Sequence, residues 1–167
     1  NTTKKYALSI FDSVGFDSIT VSPYMGSDSI IPFIENEEKG VFVLCLTSNE
    51  SACDIQLLEE NGKTTYEKIA DLCLKLNTND NICLVVGATN PEFMSRIRSL
   101  NNLPWLIPGI GAQGGNLERS VSISNNQSLG IINVSRGIIF AGGCKVEKVY
   151  DAAVDYNKQI NEIGDNG

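Results

Sequence analysis

The chain has 167 residues, 42% of them hydrophobic and 20% charged, which suits one folded domain and excludes a disordered chain. Its 13 Lys and Arg against 20 Asp and Glu leave a formal net charge of −7, the wrong sign for a nucleic-acid backbone as main partner. Histidine is absent, which removes Ser-His-Asp and Cys-His catalysis and every His-ligated metal site.

Asn1-Thr2-Thr3-Lys4-Lys5 leads into an amphipathic segment rather than the apolar core of a signal peptide. The first residue is not methionine, so an upstream segment is expected. Over residues 3–14, Tyr6, Ala7, Ile10, Phe11 and Val14 fall on one helical stripe. Residues 19–22 form the first short apolar run and enter the turn Pro23-Tyr24-Met25-Gly26. A second run, 41–47, ends in Leu46-Thr47-Ser48-Asn49-Glu50. Tyr66, Ile69, Ala70, Cys73 and Leu76 predict a helix over 64–76, closed by a polar loop at 77–81. Residues 82–87 are the third run. Asn90 then caps a helix with Pro91 at its first position, followed by Phe93, Met94, Ile97 and Leu100. The fourth run, 105–109, passes into a glycine-rich turn and a helix over 116–122. Residues 124–127 read as a polar loop, 130–135 as the fifth run. Val146, Val149, Tyr150, Ala153 and Ile160 predict a last helix over 145–160, with a polar tail at 164–167.

Most of these runs are continuous rather than alternating, the habit of strands buried on both faces of a parallel sheet. The order is a helix followed by five β-α units, hence an α/β protein with right-handed crossovers. Two architectures fit: a five-stranded open sheet complete in itself, or the last five units of an eight-stranded barrel. A (β/α)₈ barrel typically needs about 250 residues, so the second reading makes the chain incomplete. No run approaches the roughly 20 residues of a membrane span. Five cysteines (Cys45, Cys53, Cys73, Cys83, Cys144) without a CxxC pair read as small buried hydrophobes in a reducing cytosol.

Chemistry concentrates just after strands. Pro108-Gly109-Ile110-Gly111-Ala112-Gln113-Gly114-Gly115 follows the fourth run and opens a helix, a pattern that lets backbone N–H groups approach an anion. Ser135-Arg136-Gly137 ends the next run, where Arg136 offers a fork of donors. In a barrel these are the loops after strands seven and eight, where phosphate sites form. The plain alternative is a tight turn and a surface arginine. Ser48 and Asn49 suit a polar planar ligand, although Ser and Asn also serve as ordinary caps. Val86 is a pocket candidate for which core packing is the simpler reading. Acid–base groups are missing: Asp12, Asp17 and Asp28 are scattered, and Lys4 and Lys5 lie on a solvated helix face. Binding residues are legible, and a group to perform a reaction is not.

Taken together, NTTKKYA, SITVSPYMG, VFVLCLTSNESA, ICLVVGAT, PWLIPGIGAQGG and INVSRGI resemble orotidine 5′-phosphate decarboxylase, in the longer form of many bacteria and some protists. The resemblance implies a (β/α)₈ TIM barrel, of which this chain is about the last five βα units within one domain, and a homodimer. It implies loss of CO₂ from orotidine 5′-phosphate to give UMP in pyrimidine synthesis, without metal or organic cofactor. The family's Lys/Asp motif, DxKxxDI, ends the third strand and is expected upstream of Asn1, so residues 1–167 alone are expected to be inactive. Carried over by position, Ser48 contacts the pyrimidine amide edge. Gln113 and Arg136 hold the phosphate, with the Ser135 and Arg136 N–H groups beside them. Val86 and Pro108 lie near the base, and Thr2 reaches across the dimer. Glu50 stands where relatives often have proline. Fusion to orotate phosphoribosyltransferase is compatible with the resemblance. The competing reading is a sugar-phosphate- or nucleotide-binding α/β module that is non-catalytic or performs another reaction. A pyrimidine held near Ser48 and Val86 would separate the two. No nucleic-acid or membrane partner is expected.

Overall fold

The order of elements follows the alternation of the sequence. The computed structural model describes residues 2–111 and 113–165. They form α1 (Thr2–Leu8), β1 (Ser18–Val21), α2 (Ile31–Ile34), β2 (Gly40–Leu46), β3 (Glu59–Glu60), β4 (Lys63–Thr64), α3 (Thr65–Leu76), β5 (Ile82–Val86), α4 (Pro91–Leu100), β6 (Trp105–Ile107), α5 (Leu117–Asn125), β7 (Gly130–Ile132), α6 (Arg136–Ile139) and α7 (Val146–Asp165). The five expected runs make one sheet in the order β1-β2-β5-β6-β7, every pair parallel. Among the described residues β1 and β7 are open edges. The α/β class is thereby realised, in a sheet whose two open edges are those that a partial barrel leaves.

Side-chain alternation explains the packing. Val41, Val43 and Cys45 of β2 and Ile82 and Leu84 of β5 are buried, and α3 packs on both strands. Phe42, Leu44 and Cys83 alternate with them and are only half-buried. Trp105 anchors β6. The Arg98 guanidinium lies 3.7 Å from the Trp105 ring centroid and donates to the carbonyls of Leu103 and Ser124, tying α4 and α5 to the strand between them. Burial pulls the Arg98 pKa down to about 10.

Several boundaries differ from the sequence reading, each for a local reason. The first helix is α-helical only to Leu8, and Ser9–Val14 continue as π-helix to Gly15 at φ 83°. The unit between β1 and β2 has no long helix: Pro23–Met25 and Ser27–Ser29 are 3₁₀ turns, and α2 has four residues. Strands β6 and β7 end before Pro108 and Asn133, which belong to loops. Helix α5 absorbs the start of the predicted loop at 124–127, and α7 runs through Gly164 to Asp165. Residues 166 and 167 of the predicted tail, like Asn1 and Ala112, lie outside the described residues. An unpredicted hairpin, β3–β4, turns on Asn61 and Gly62 at φ 54° and 75°.

Helix α3 starts on a capping box. The Thr64 N–H and hydroxyl donate to Glu67 Oε2 at 2.8 and 2.9 Å, and Arg96 Nε donates to Oε1 at 2.6 Å. The backbone bond from Thr64 leads in holding the Glu67 carboxyl below its ordinary 4.5, aided by Arg96 and opposed by burial. A depressed carboxyl stabilises the fold above its unfolded pKa and loses that contribution as pH falls through the folded value. Glu67→Ala should therefore cost about 1–3 kcal/mol at neutral pH. Urea unfolding should show the gap to the parent narrowing below pH 4.5. An unchanged gap in acid would refute the carboxylate's part.

Candidate functional site

In a parallel sheet the loops after the strands gather at one end. Ser48 follows β2, Gly87 follows β5, Pro108 follows β6, and Asn133 to Arg136 follow β7. The loops meet at their backbones. A Cβ on Gly87 would stand 2.8 Å from the Ser48 nitrogen, and one on Gly115 would stand 2.6 Å from both Ala88 Cβ and the Gly109 carbonyl oxygen. Neither position can carry a larger residue without moving a neighbouring loop. The Ala88 N–H donates to the Pro108 carbonyl at 2.9 Å and the Gly115 N–H to that of Gly109 at 3.0 Å, so the glycine-rich turn is folded back on β5.

Two of the predicted residues touch although 65 positions separate them: the Ser48 hydroxyl donates to Gln113 Oε1 at 3.0 Å. An amide that accepts through its oxygen still has two N–H protons for a further acceptor. Gln113 also lines a cavity of about 160 Å³ with Pro108, Gly109, Ile110, Asn133, Ser135 and Arg136. Among the described residues, Arg136 is the only charged side chain on that lining. Amide, hydroxyl, main chain and one guanidinium make a set suited to an anion. The volume is below the roughly 300 Å³ at which small-molecule pockets begin, so the cavity holds one end of a ligand rather than all of it. A larger hollow of about 580 Å³ lies between α5 and α7, and its charged lining, Glu118 and Glu162, has the wrong sign for a phosphate.

Of the remaining predicted residues, Ser135 and Pro108 share that lining, and Val86 and Thr2 do not. Ser135 precedes α6, and its hydroxyl donates to Asn133 Oδ1 at 3.1 Å. Val86 ends β5 fully buried in the core and is not on the cavity lining; Gly87, next along, makes the approach to Ser48. Thr2 is exposed at the start of α1, and no residue of α1 lines this cavity. Lys4 pairs with Glu35 at 3.5 Å, in keeping with a solvated helix face. Asn133 was not among the predicted residues; its place two residues before Ser135, just past a strand, was the available signal.

The orotidine 5′-phosphate decarboxylase / HUMPS family matches residues 1–151. The chain belongs to that family. Its resemblance to the decarboxylases is borne out across most of its length. It is 48% identical over 148 residues to orotidine 5′-phosphate decarboxylase of Dehalococcoides mccartyi, covering 84% of this chain and 55% of that protein. It is 45% identical over 157 residues to that of Natronomonas pharaonis, covering 92% of this chain and 58% of the other. The chain thus spans little more than half the length of these curated relatives. Among solved structures, the UMP synthase of Leishmania donovani superposes with TM-score 0.89 at 41% identity, over 98% of this chain and 36% of that one. The OMP decarboxylase of the same organism gives 0.87 at 38%, over 98% and 64%.

Proposed function

We propose that the protein containing this chain converts orotidine 5′-phosphate to UMP and CO₂, and that residues 1–167 supply its phosphate- and base-binding half. The observation that carries this reading is the bond from Ser48 to Gln113 beside Arg136: a group suited to a pyrimidine amide and a group suited to a phosphate share one site.

The chemistry assigns roles to distance. Loss of CO₂ leaves an electron pair at C6 of the pyrimidine, which is then protonated. Charge that is preorganised at C6 must stabilise that change. Phosphate contacts are remote from C6, and their binding energy serves to close loops and hold the ring. Gln113, Arg136 and the Ser135 and Arg136 N–H groups form that remote handle. Ser48 orients the ring, with Pro108 as an apolar neighbour of the base, while Val86 supports the strand end from the core. The Lys/Asp group comes from a segment outside this chain, and Thr2 serves the site of a second subunit in a cytoplasmic homodimer. Fusion to a phosphoribosyltransferase is supported only by the likeness to a UMP synthase.

The test is turnover by the whole protein. Orotate absorbance should fall as UMP and CO₂ appear in equal amounts, and chelator should not slow it. A whole protein that binds the nucleotide without releasing CO₂ would leave the competing reading, a binding module.

A further inference from the structure

Behind Ser48 stands a residue that the site description does not use. Gln56 is half-buried and holds Thr47 by both ends of its amide. Its Oε1 accepts from the Thr47 N–H at 2.8 Å, and its Nε2 donates to Thr47 Oγ1 at 2.7 Å. The Thr47 hydroxyl passes its own proton on to Asn49 Oδ1 at 2.5 Å. Ser48 lies between these two fixed residues.

The position explains why such a clamp is required. Strand β2 ends at Leu46, whose carbonyl takes the last sheet bond from Gly87 N–H, after a register shift between Leu44 and Leu46. The sheet ladder therefore stops one residue short of Thr47, and Gln56 Oε1 serves the next N–H in its place. Gln56 is itself fixed: its N–H donates to the Ala52 carbonyl at 2.8 Å, and its carbonyl accepts from Tyr66 N–H at 3.1 Å. Tyr66 is buried in α3, and its carbonyl accepts from Cys45 Sγ at 3.3 Å. A continuous path thus runs from the core through Gln56 to Thr47. On the other side, the Ser48 main chain lies so close to Gly87 that a Cβ there would stand 2.8 Å from the Ser48 nitrogen.

We propose that Gln56 is a positioning residue of the base-binding loop, holding Thr47 so that Ser48 meets both Gln113 and the pyrimidine. This rests on the assignment of Ser48 to a pyrimidine. Gln56 touches no ligand itself, and its effect is carried entirely by Ser48.

Three variants of the whole protein test it: Gln56→Leu, which keeps bulk and removes both bonds; Gln56→Glu, whose carboxylate still accepts from the Thr47 N–H; and Ser48→Ala with and without Gln56→Leu. Gln56→Leu should raise the Kd of UMP roughly 5- to 20-fold, the scale of one or two hydrogen bonds. It should raise the Kd of uridine as well, by a factor no larger than that for UMP, because Ser48 meets the base directly and reaches the phosphate only through Gln113. Gln56→Glu should recover at least about half of that loss on a logarithmic scale, since the N–H anchor is the main one. On Ser48→Ala, Gln56→Leu should add less than about twofold, because residues acting through one group do not add. A ligand-free measurement stands beside these. Amide exchange at Thr47 should speed up about tenfold or more in Gln56→Leu while Val43 and Leu44 keep their protection. Wild-type affinity in Gln56→Leu, full additivity with Ser48→Ala, or an unchanged Thr47 amide would each overturn the proposal. Wild-type protein that binds no UMP would defeat the proposed function instead, and the Thr47 amide would then decide whether Gln56 anchors the loop.

Discussion

In the whole protein, Arg136→Ala should weaken UMP binding by about 1.5–3 kcal/mol, roughly 10- to 150-fold, and leave uridine binding nearly unchanged. The asymmetry follows from the cavity. Among the described residues, Arg136 is the only charge on its lining, and the space is large enough for one end of a nucleotide. Removing the guanidinium leaves an anion with the Gln113 amide and main-chain N–H groups, which are weaker partners than a charge-assisted fork. Arg136→Lys should recover only part of the loss, since an ammonium is a point charge and cannot match two phosphate oxygens in parallel. Titration calorimetry with UMP and uridine on both variants decides the matter. Equal losses for the two ligands would show that Arg136 does not read the phosphate.

Much of this site was legible because its parts sit at strand ends and are short-range signals. Glycines at close approaches, proline after a strand and a Ser-Arg-Gly turn soon after a strand each announce themselves locally. What was not legible is contact across 65 positions: that the Ser48 hydroxyl would donate to Gln113 follows from the parallel order of β2, β5 and β6, not from either segment. Val86 shows the limit in the other direction. One residue decides whether a side chain belongs to the core or to the mouth, and the sequence cannot say where the pleat ends. Gln56 was invisible for a third reason. It lies in a loop without periodicity, and its role exists only through two bonds to Thr47. The Asn61-Gly62 hairpin, by contrast, carried an ordinary turn signal that the polar, two-residue strands on either side obscured.

Purified residues 1–167 should not decarboxylate orotidine 5′-phosphate at a useful rate, whereas the whole protein should. The expectation concerns position as much as composition. The reaction needs a cation near C6 to receive a developing electron pair and a proton to quench it. Lysines and aspartates are present, but their pairs stand elsewhere. Lys39 and Asp17 meet at 3.0 Å immediately before β2 and β1, at the amino ends of the strands, opposite to the loops that hold Ser48, Gln113 and Arg136. Lys63 and Asp71 join the hairpin to α3, and Lys148 and Asp151 lie within α7. None of these pairs shares an element with the cavity lining. The handle that remains binds substrate and transition state alike, and uniform binding lowers KM without raising kcat. The assay is loss of orotate absorbance, with the intact mass of the fragment verified in the same preparation. Turnover by the verified fragment would return catalysis to residues 1–167 and require a proton donor within reach of Ser48. No turnover by fragment and whole protein alike would place the fault in the proposed reaction rather than in the division of labour between its binding and reacting halves.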